Sequence, residues 1–169
     1  MTGLLSRLIP GSDANSEMGS SMDARSNGYL PLEDYAALGE GRSVALSGKD
    51  GSIDWWCVPN MDSPPLFDRL LHAKHGGYFL IEPDEPHTGT RAYRTHSNVL
   101  ETIFRTSGGI AVLTESMNSG TAGRLPWAEL ARRVEGRSGS VRFKVEMKLG
   151  RRGNTANPYH SKIGKHVVF

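Results

Sequence analysis

The run Val141-Arg142-Phe143-Lys144-Val145-Glu146-Met147-Lys148-Leu149 alternates apolar and charged residues without a break. A period of two is a β-strand with one face buried and one in water, and it has no helical reading. The same texture recurs upstream. Ser43-Val44-Ala45-Leu46-Ser47 and Ile53-Asp54-Trp55-Trp56-Cys57-Val58 flank Lys49-Asp50-Gly51-Ser52, and Asp-Gly between apolar runs is a hairpin signal because both residues tolerate positive φ. Asn98-Val99-Leu100-Glu101-Thr102-Ile103-Phe104 and Ile110-Ala111-Val112-Leu113 flank Ser107-Gly108-Gly109 in the same way. Glycine numbers 20 in 169 residues, well above the usual ~7%, and without a G-x-y period it signals turns rather than collagen.

These runs predict an all-β fold, an antiparallel β-sandwich of about eight strands and one short helix, each strand beside its neighbour in sequence. The helix is expected over residues 64–71, where Leu66, Phe67, Leu70 and Leu71 share a face behind Pro64-Pro65 and Asp62 or Ser63 serves as cap. Residues 33–39 read as a turn of helix or a loop into a strand. Residues 127–135 are expected as a strand paired with 141–149. Residues 1–28 are small and polar without apolar periodicity and read as a disordered tail. Residues 29–169 form the sandwich. His166-Val167-Val168-Phe169 is a β-type run with no turn after it, so the sandwich is expected to be truncated at its C-terminal end.

Composition excludes several classes. The single cysteine, Cys57, rules out an intrachain disulfide and favours a cytoplasmic protein, with Cys57 itself a small buried hydrophobe. No stretch approaches the ~20 apolar residues of a spanning helix, and no membrane partner is expected. Charge is uneven: residues 1–119 carry 9 Lys and Arg against 15 Asp and Glu, and residues 120–169 carry 11 against 3. The basic residues of that second part alternate with apolar ones, as on a solvated sheet face. Without interleaved aromatics they do not read as a nucleic-acid surface.

Several stretches resemble bacterial family 15 glycoside hydrolases, the glucoamylase and trehalase-like proteins. Tyr29-Leu30-Pro31-Leu32-Glu33-Asp34-Tyr35 is similar to their opening. Asp50-Gly51-Ser52-Ile53-Asp54-Trp55-Trp56-Cys57-Val58-Pro59 is similar to their DGSIDWLCLP hairpin, and Met61-Asp62-Ser63-Pro64-Pro65-Leu66-Phe67 to FDSPSVF. Gly76-Gly77-Tyr78-Phe79, Asn98-Val99-Leu100-Glu101-Thr102 and Val134-Glu135-Gly136 follow in family order, so the likeness runs from Tyr29 to about Leu149. It implies an N-terminal β-sandwich that packs on a catalytic (α/α)6 barrel in the same or a separate chain. In the family, that barrel carries the acid and base glutamates of inverting α-glucoside hydrolysis. The barrel is absent here, so this chain alone is expected to be inactive. Two departures stand out: Asn60 replaces the family's usual arginine, and Leu113-Thr114-Glu115-Ser116-Met117-Asn118 replaces VTDFMP.

The candidate contacts to substrate or to the barrel are Trp55, Trp56, Asn60, Asp62 and Ser63. Adjacent tryptophans on a strand point to opposite faces, so one belongs to the core while the other packs on a neighbouring domain or stacks on a sugar. Asn60, Asp62 and Ser63 lie on the loop after that strand, where binding groups often sit. Asp50 and Asp54 read as a turn residue and a strand residue rather than a catalytic pair. His72 and His75 suit a helix C-terminus better than a metal site, and neither a metal nor a cofactor is predicted. The partners expected are the barrel, α-glucosides, and a second copy through exposed strand edges. A stand-alone carbohydrate-binding module is the alternative, and it requires an exposed aromatic.

Overall fold

The computed structural model describes residues 25–118 and 127–150, together with two short strands, β11 (Ser161–Ile163) and β12 (His166–Val168), which pair with each other. Of the tail expected over residues 1–28, residues 1–24 lie outside the described residues. Two antiparallel sheets pack as a sandwich. One contains β1 (Tyr35–Gly39), β2 (Val44–Gly48), β3 (Ser52–Cys57), β5 (Tyr78–Pro83) and β10 (Phe143–Lys148) in that order, with β4 (Pro65–Phe67) also on β3. The other contains β6 (His87–Tyr93), β7 (Leu100–Thr106), β8 (Gly109–Met117) and β9 (Leu130–Gly139) in order.

The core lies between the sheets. Leu38, Ala45, Ile53, Trp56 and Phe67 from the first meet Leu100 and Met117 from the second, and Ile81 meets Phe104 and Leu113. Each large apolar side chain buried in this way contributes about 1.5–3 kcal/mol. A charged pair also spans the core. Arg132 Nε donates to Glu115 Oε1 at 2.9 Å, and the two other guanidinium nitrogens donate to the carbonyls of Phe79 on β5 and Gly51 in the β2–β3 turn. Ser47 Oγ donates to Glu115 Oε2. Each guanidinium nitrogen and each carboxylate oxygen has a partner, which is what makes a buried ion pair tolerable. Burial pulls the Arg132 guanidinium below its ordinary value, and the Glu115 carboxylate pushes back.

Both hairpins read from the sequence form. At the first, Gly51 has φ +83°, and a Cβ there would lie 2.2 Å from the Ile81 carbonyl oxygen. Only glycine fits so close an approach. Three expectations need correction. The helix over residues 64–71 does not form: Pro65 and Phe67 pair with β3 opposite Cys57 and Trp56, and Phe67 enters the core. The only helical element among the described residues is a 3₁₀ turn at Leu32–Asp34. A strand forms at Leu130–Gly139, overlapping but displaced from the one expected over residues 127–135, and β9 pairs with β8, while β10 crosses to the other sheet and pairs with β5. Strands are therefore not all beside their sequence neighbours. Gly139, at φ +63°, permits the turn at which the chain changes sheets. Residues 25–28, read as part of the tail, are bonded into the fold through Arg25.

Candidate functional site

Strand direction gathers four connections at one end of the sandwich. β1 leaves and β2 enters there, β3 ends there, and the β6–β7 and β8–β9 connections close there. Tyr93 Oη donates to the Ala37 carbonyl, and Asn98 Nδ2 to the Gly39 carbonyl, tying the two sheets together at this end. A cleft of about 360 Å³ opens between them, lined by Gly39, Asn98, Val99, Ser116, Met117 and Asn118.

Trp56 points into the core, where its Nε1–H donates to Ser43 Oγ at 2.9 Å and that hydroxyl donates to the Cys57 carbonyl. Trp55 is half-buried and outside the core clusters. A β-bulge prepares this arrangement. Leu46 faces Trp55, but Ser47 faces Ile53, so Asp54 is the extra residue. The bulge lets Ile53 and Trp56, three apart, both face inward. The strand position signalled that one of the two tryptophans is core; nothing in the local pattern marked the bulge or chose Trp56.

Asn60 and Asp62 are exposed on the loop beyond β3, and Ser63 is half-buried. Ser63 does not cap a helix. Its hydroxyl accepts the Asn60 N–H at 3.1 Å, and the Ser63 N–H donates back to the Asn60 carbonyl, closing a tight turn. The neighbouring Met61 N–H donates to the Arg42 carbonyl. Arg42 Nη2 in turn donates to the Trp127 carbonyl. Met61 and Trp127 are therefore joined through Arg42, and their side chains are 63% and 57% exposed. Trp127 Nε1 approaches Glu129 Oε2, and Asn118 Nδ2 donates to Glu129 Oε1 at 2.7 Å. Sequence reasoning missed Trp127; an aromatic between Pro126 and a strand was its one signal.

Asp50, Asp54 and Glu115 are structural carboxylates. Asp54 is fully buried and accepts Tyr35 Oη at 2.6 Å, Arg25 Nη2 at 2.9 Å and Arg69 Nε at 2.8 Å. Burial opposes its ionisation, but Arg69 and Arg25 outweigh that and hold the carboxyl below its ordinary value. Burial and the bond to Asp54 push the Tyr35 phenol up. Asp50 accepts Arg25 Nε at 2.8 Å and the Ser52 N–H. Glu115, the acidic residue of the altered VTDFMP-like stretch, is locked to Arg132 inside the core and reaches no loop. Burial and the nearby Asp62 raise the Cys57 thiol, which keeps it protonated and unreactive. His72 and His75 sit in turns rather than at a helix end. The His75 N–H donates to His72 Nδ1, and their rings lie 4.8 Å apart. Among the described residues no group of three or more His, Cys, Asp or Glu is placed to hold a metal, and no helix is long and apolar enough to cross a membrane.

Comparison with known proteins points in one direction. The sequence profile of the family described as trehalase-like, N-terminal, matches residues 25–150, so it begins at the arginine that clamps Asp50 and Asp54. A trehalase of Thermoplasma acidophilum is 32% identical over 127 residues, covering 73% of this chain and 22% of that protein. A trehalase of Mycobacterium tuberculosis is 29% identical over 114 residues, covering 68% and 16%. Trehalase 2 of Sulfolobus acidocaldarius is 43% identical over 70 residues, covering 41% and 12%. The chain thus spans about a fifth or less of the length of these curated relatives. No solved structure matches it. With a profile match over most of its length and the two-sheet architecture in place, the chain belongs to the trehalase-like N-terminal domain family.

Proposed function

We propose that this chain is the accessory, non-catalytic domain of a trehalase-type or glucoamylase-type α-glucoside hydrolase. It packs on the catalytic barrel through the loop end of the sandwich. The observation that carries this reading is the Met61–Arg42–Trp127 patch, in which Arg42 holds the backbones of two large, exposed apolar residues at the loop end of the sandwich. Rigid apolar groups with polar neighbours are what an interdomain surface requires. Asn60 and Asp62 lie on the same loop as Met61 and form the polar rim of that surface. Asp50, Asp54 and Glu115 are engaged by arginines in the interior, and Asp62 is solvated on this rim.

Two experiments test the reading. The purified chain is expected to release no glucose from trehalose, maltose or starch above a buffer blank; turnover would overturn the non-catalytic role. Met61→Asp with Trp127→Ala is expected to abolish binding to a separately expressed barrel of a related trehalase while leaving the chain folded. Unchanged binding would move the interface elsewhere. The exposed Trp127 ring, whose Nε1–H meets Glu129 while Asn118 donates to the other oxygen of that carboxylate, also favours direct carbohydrate contact as a second reading. It predicts a tryptophan fluorescence change on titration with malto-oligosaccharides that Trp127→Ala abolishes. An absent change at millimolar sugar counts against it.

A further inference from the structure

We propose that two copies of this chain pair through the free edge of β10, antiparallel, about a two-fold axis at Val145. β10 ends its sheet, and among the described residues no strand lies on its other side. Phe143, Val145 and Met147 face the interior, since they pair with Pro83, Ile81 and Phe79, and Ile81 and Phe79 pack in the core. Yet Val145 is 63% and Met147 42% exposed. Val134 on β9, at the free edge of the facing sheet, pairs with the core residue Leu113 and is still 41% exposed. The sandwich is open along this side, and an apolar row there beside an unpaired edge is a docking surface.

The sequence of β10 argues for a second copy as the occupant, because it is complementary to itself. Antiparallel pairing about Val145 sets Val145 on Val145, Phe143 on Met147, and Lys144 on Glu146 twice. Facing residues then share a face, so the apolar rows merge and the charges alternate on the outside. Sliding the register by two residues sets Lys144 on Lys144 or Glu146 on Glu146, and sliding by one sets apolar residues opposite charged ones. Within one chain Lys144 and Glu146 already sit 3.1 Å apart, each about half exposed, and the dimer would link two such pairs into an alternating square. The contact is isologous and closes on itself. It also lies along the side of the sandwich, leaving the loop end free for the barrel.

The test uses the full chain in sedimentation velocity over a wide concentration series. A monomer–dimer equilibrium is expected. Lys144→Glu opposes Glu to Glu twice and is expected to weaken the dimer roughly tenfold, as does Glu146→Lys. The double exchange K144E/E146K restores the pairs and the wild-type constant. Val145→Cys is expected to cross-link to itself under mild oxidation, whereas Lys144→Cys is not; Cys57 is buried and does not interfere. Circular dichroism verifies that each variant is folded. A chain that stays monomeric throughout, a double exchange no better than either single, or self-cross-linking at position 144 instead of 145 would each overturn the proposal.

Discussion

Asp54→Asn keeps the shape of the side chain and removes its charge. In the native chain Asp54 accepts from Tyr35, Arg25 and Arg69, with the Arg69 Nη2 ion-pair distance at 2.6 Å. The two guanidinium groups are themselves mostly buried, so the substitution leaves two cations with reduced compensation. Removing one member of a buried pair costs about 3–5 kcal/mol. Arg25 retains Asp50 at 2.8 Å, and Arg69 retains its stacking over the Tyr78 ring. The lower end, ~3 kcal/mol, is therefore expected. In a chain of this size that lowers the thermal midpoint by roughly 6–12 °C. The pH dependence makes the reasoning specific. A carboxyl held below its ordinary value stabilises the fold above about pH 4, and the contribution fades as pH falls through the lower folded value. Urea unfolding followed by circular dichroism should show a gap between wild type and variant that is full at pH 7 and shrinks in acid. Equal stability at pH 7, or a gap independent of pH, would refute the clamp.

The Glu115–Arg132 pair gives a second expectation. Arg132→Met alone should cost about 3–5 kcal/mol by leaving Glu115 buried and unpaired, and adding Glu115→Leu should recover part of that loss, read by urea midpoints. Trp56→Ala should cost ~3–5 kcal/mol through its core cavity and the lost bond to Ser43 Oγ, and Trp55→Ala distinctly less; both are checked by chemical denaturation. Asp62→Asn, on an exposed loop, should leave stability within about 0.5 kcal/mol in the same assay, while an effect on barrel binding would assign it to the interface. Gly51→Ala should lower the thermal midpoint, because its positive φ and the Ile81 carbonyl leave no room for a methyl group.

Local chemistry made much of the sheet legible. Alternation, Asp50-Gly51 and Ser107-Gly108-Gly109 specify strands and tight turns within a few residues of each other, and those hairpins formed. The motif around Asp50 to Phe67 marked the family. β6 was invisible for a physical reason: its His-Thr-Gly-Thr-Arg-Ala-Tyr residues form an edge strand that stays half-exposed, so no apolar period marks it. The helix over residues 64–71 had the right spacing, but Pro65 and Phe67 found partners on β3, and burying Phe67 beside Trp56 outweighs a short isolated helix.

The sequence by itself determined the all-β class, the hairpins, the family and the burial of one tryptophan of the pair, because each rests on contacts between near neighbours or on side-chain periodicity. Only the tertiary structure decided which strands share a sheet, the bulge at Asp54, the Arg25 clamp that brings residues 25–28 into the domain, and the link of Met61 and Trp127 through Arg42. Apart from the bulge, which lies within one hairpin, those features depend on residues tens of positions apart in the chain. Pairing between them is selected by burial of the whole sandwich, and no local window of sequence contains that information.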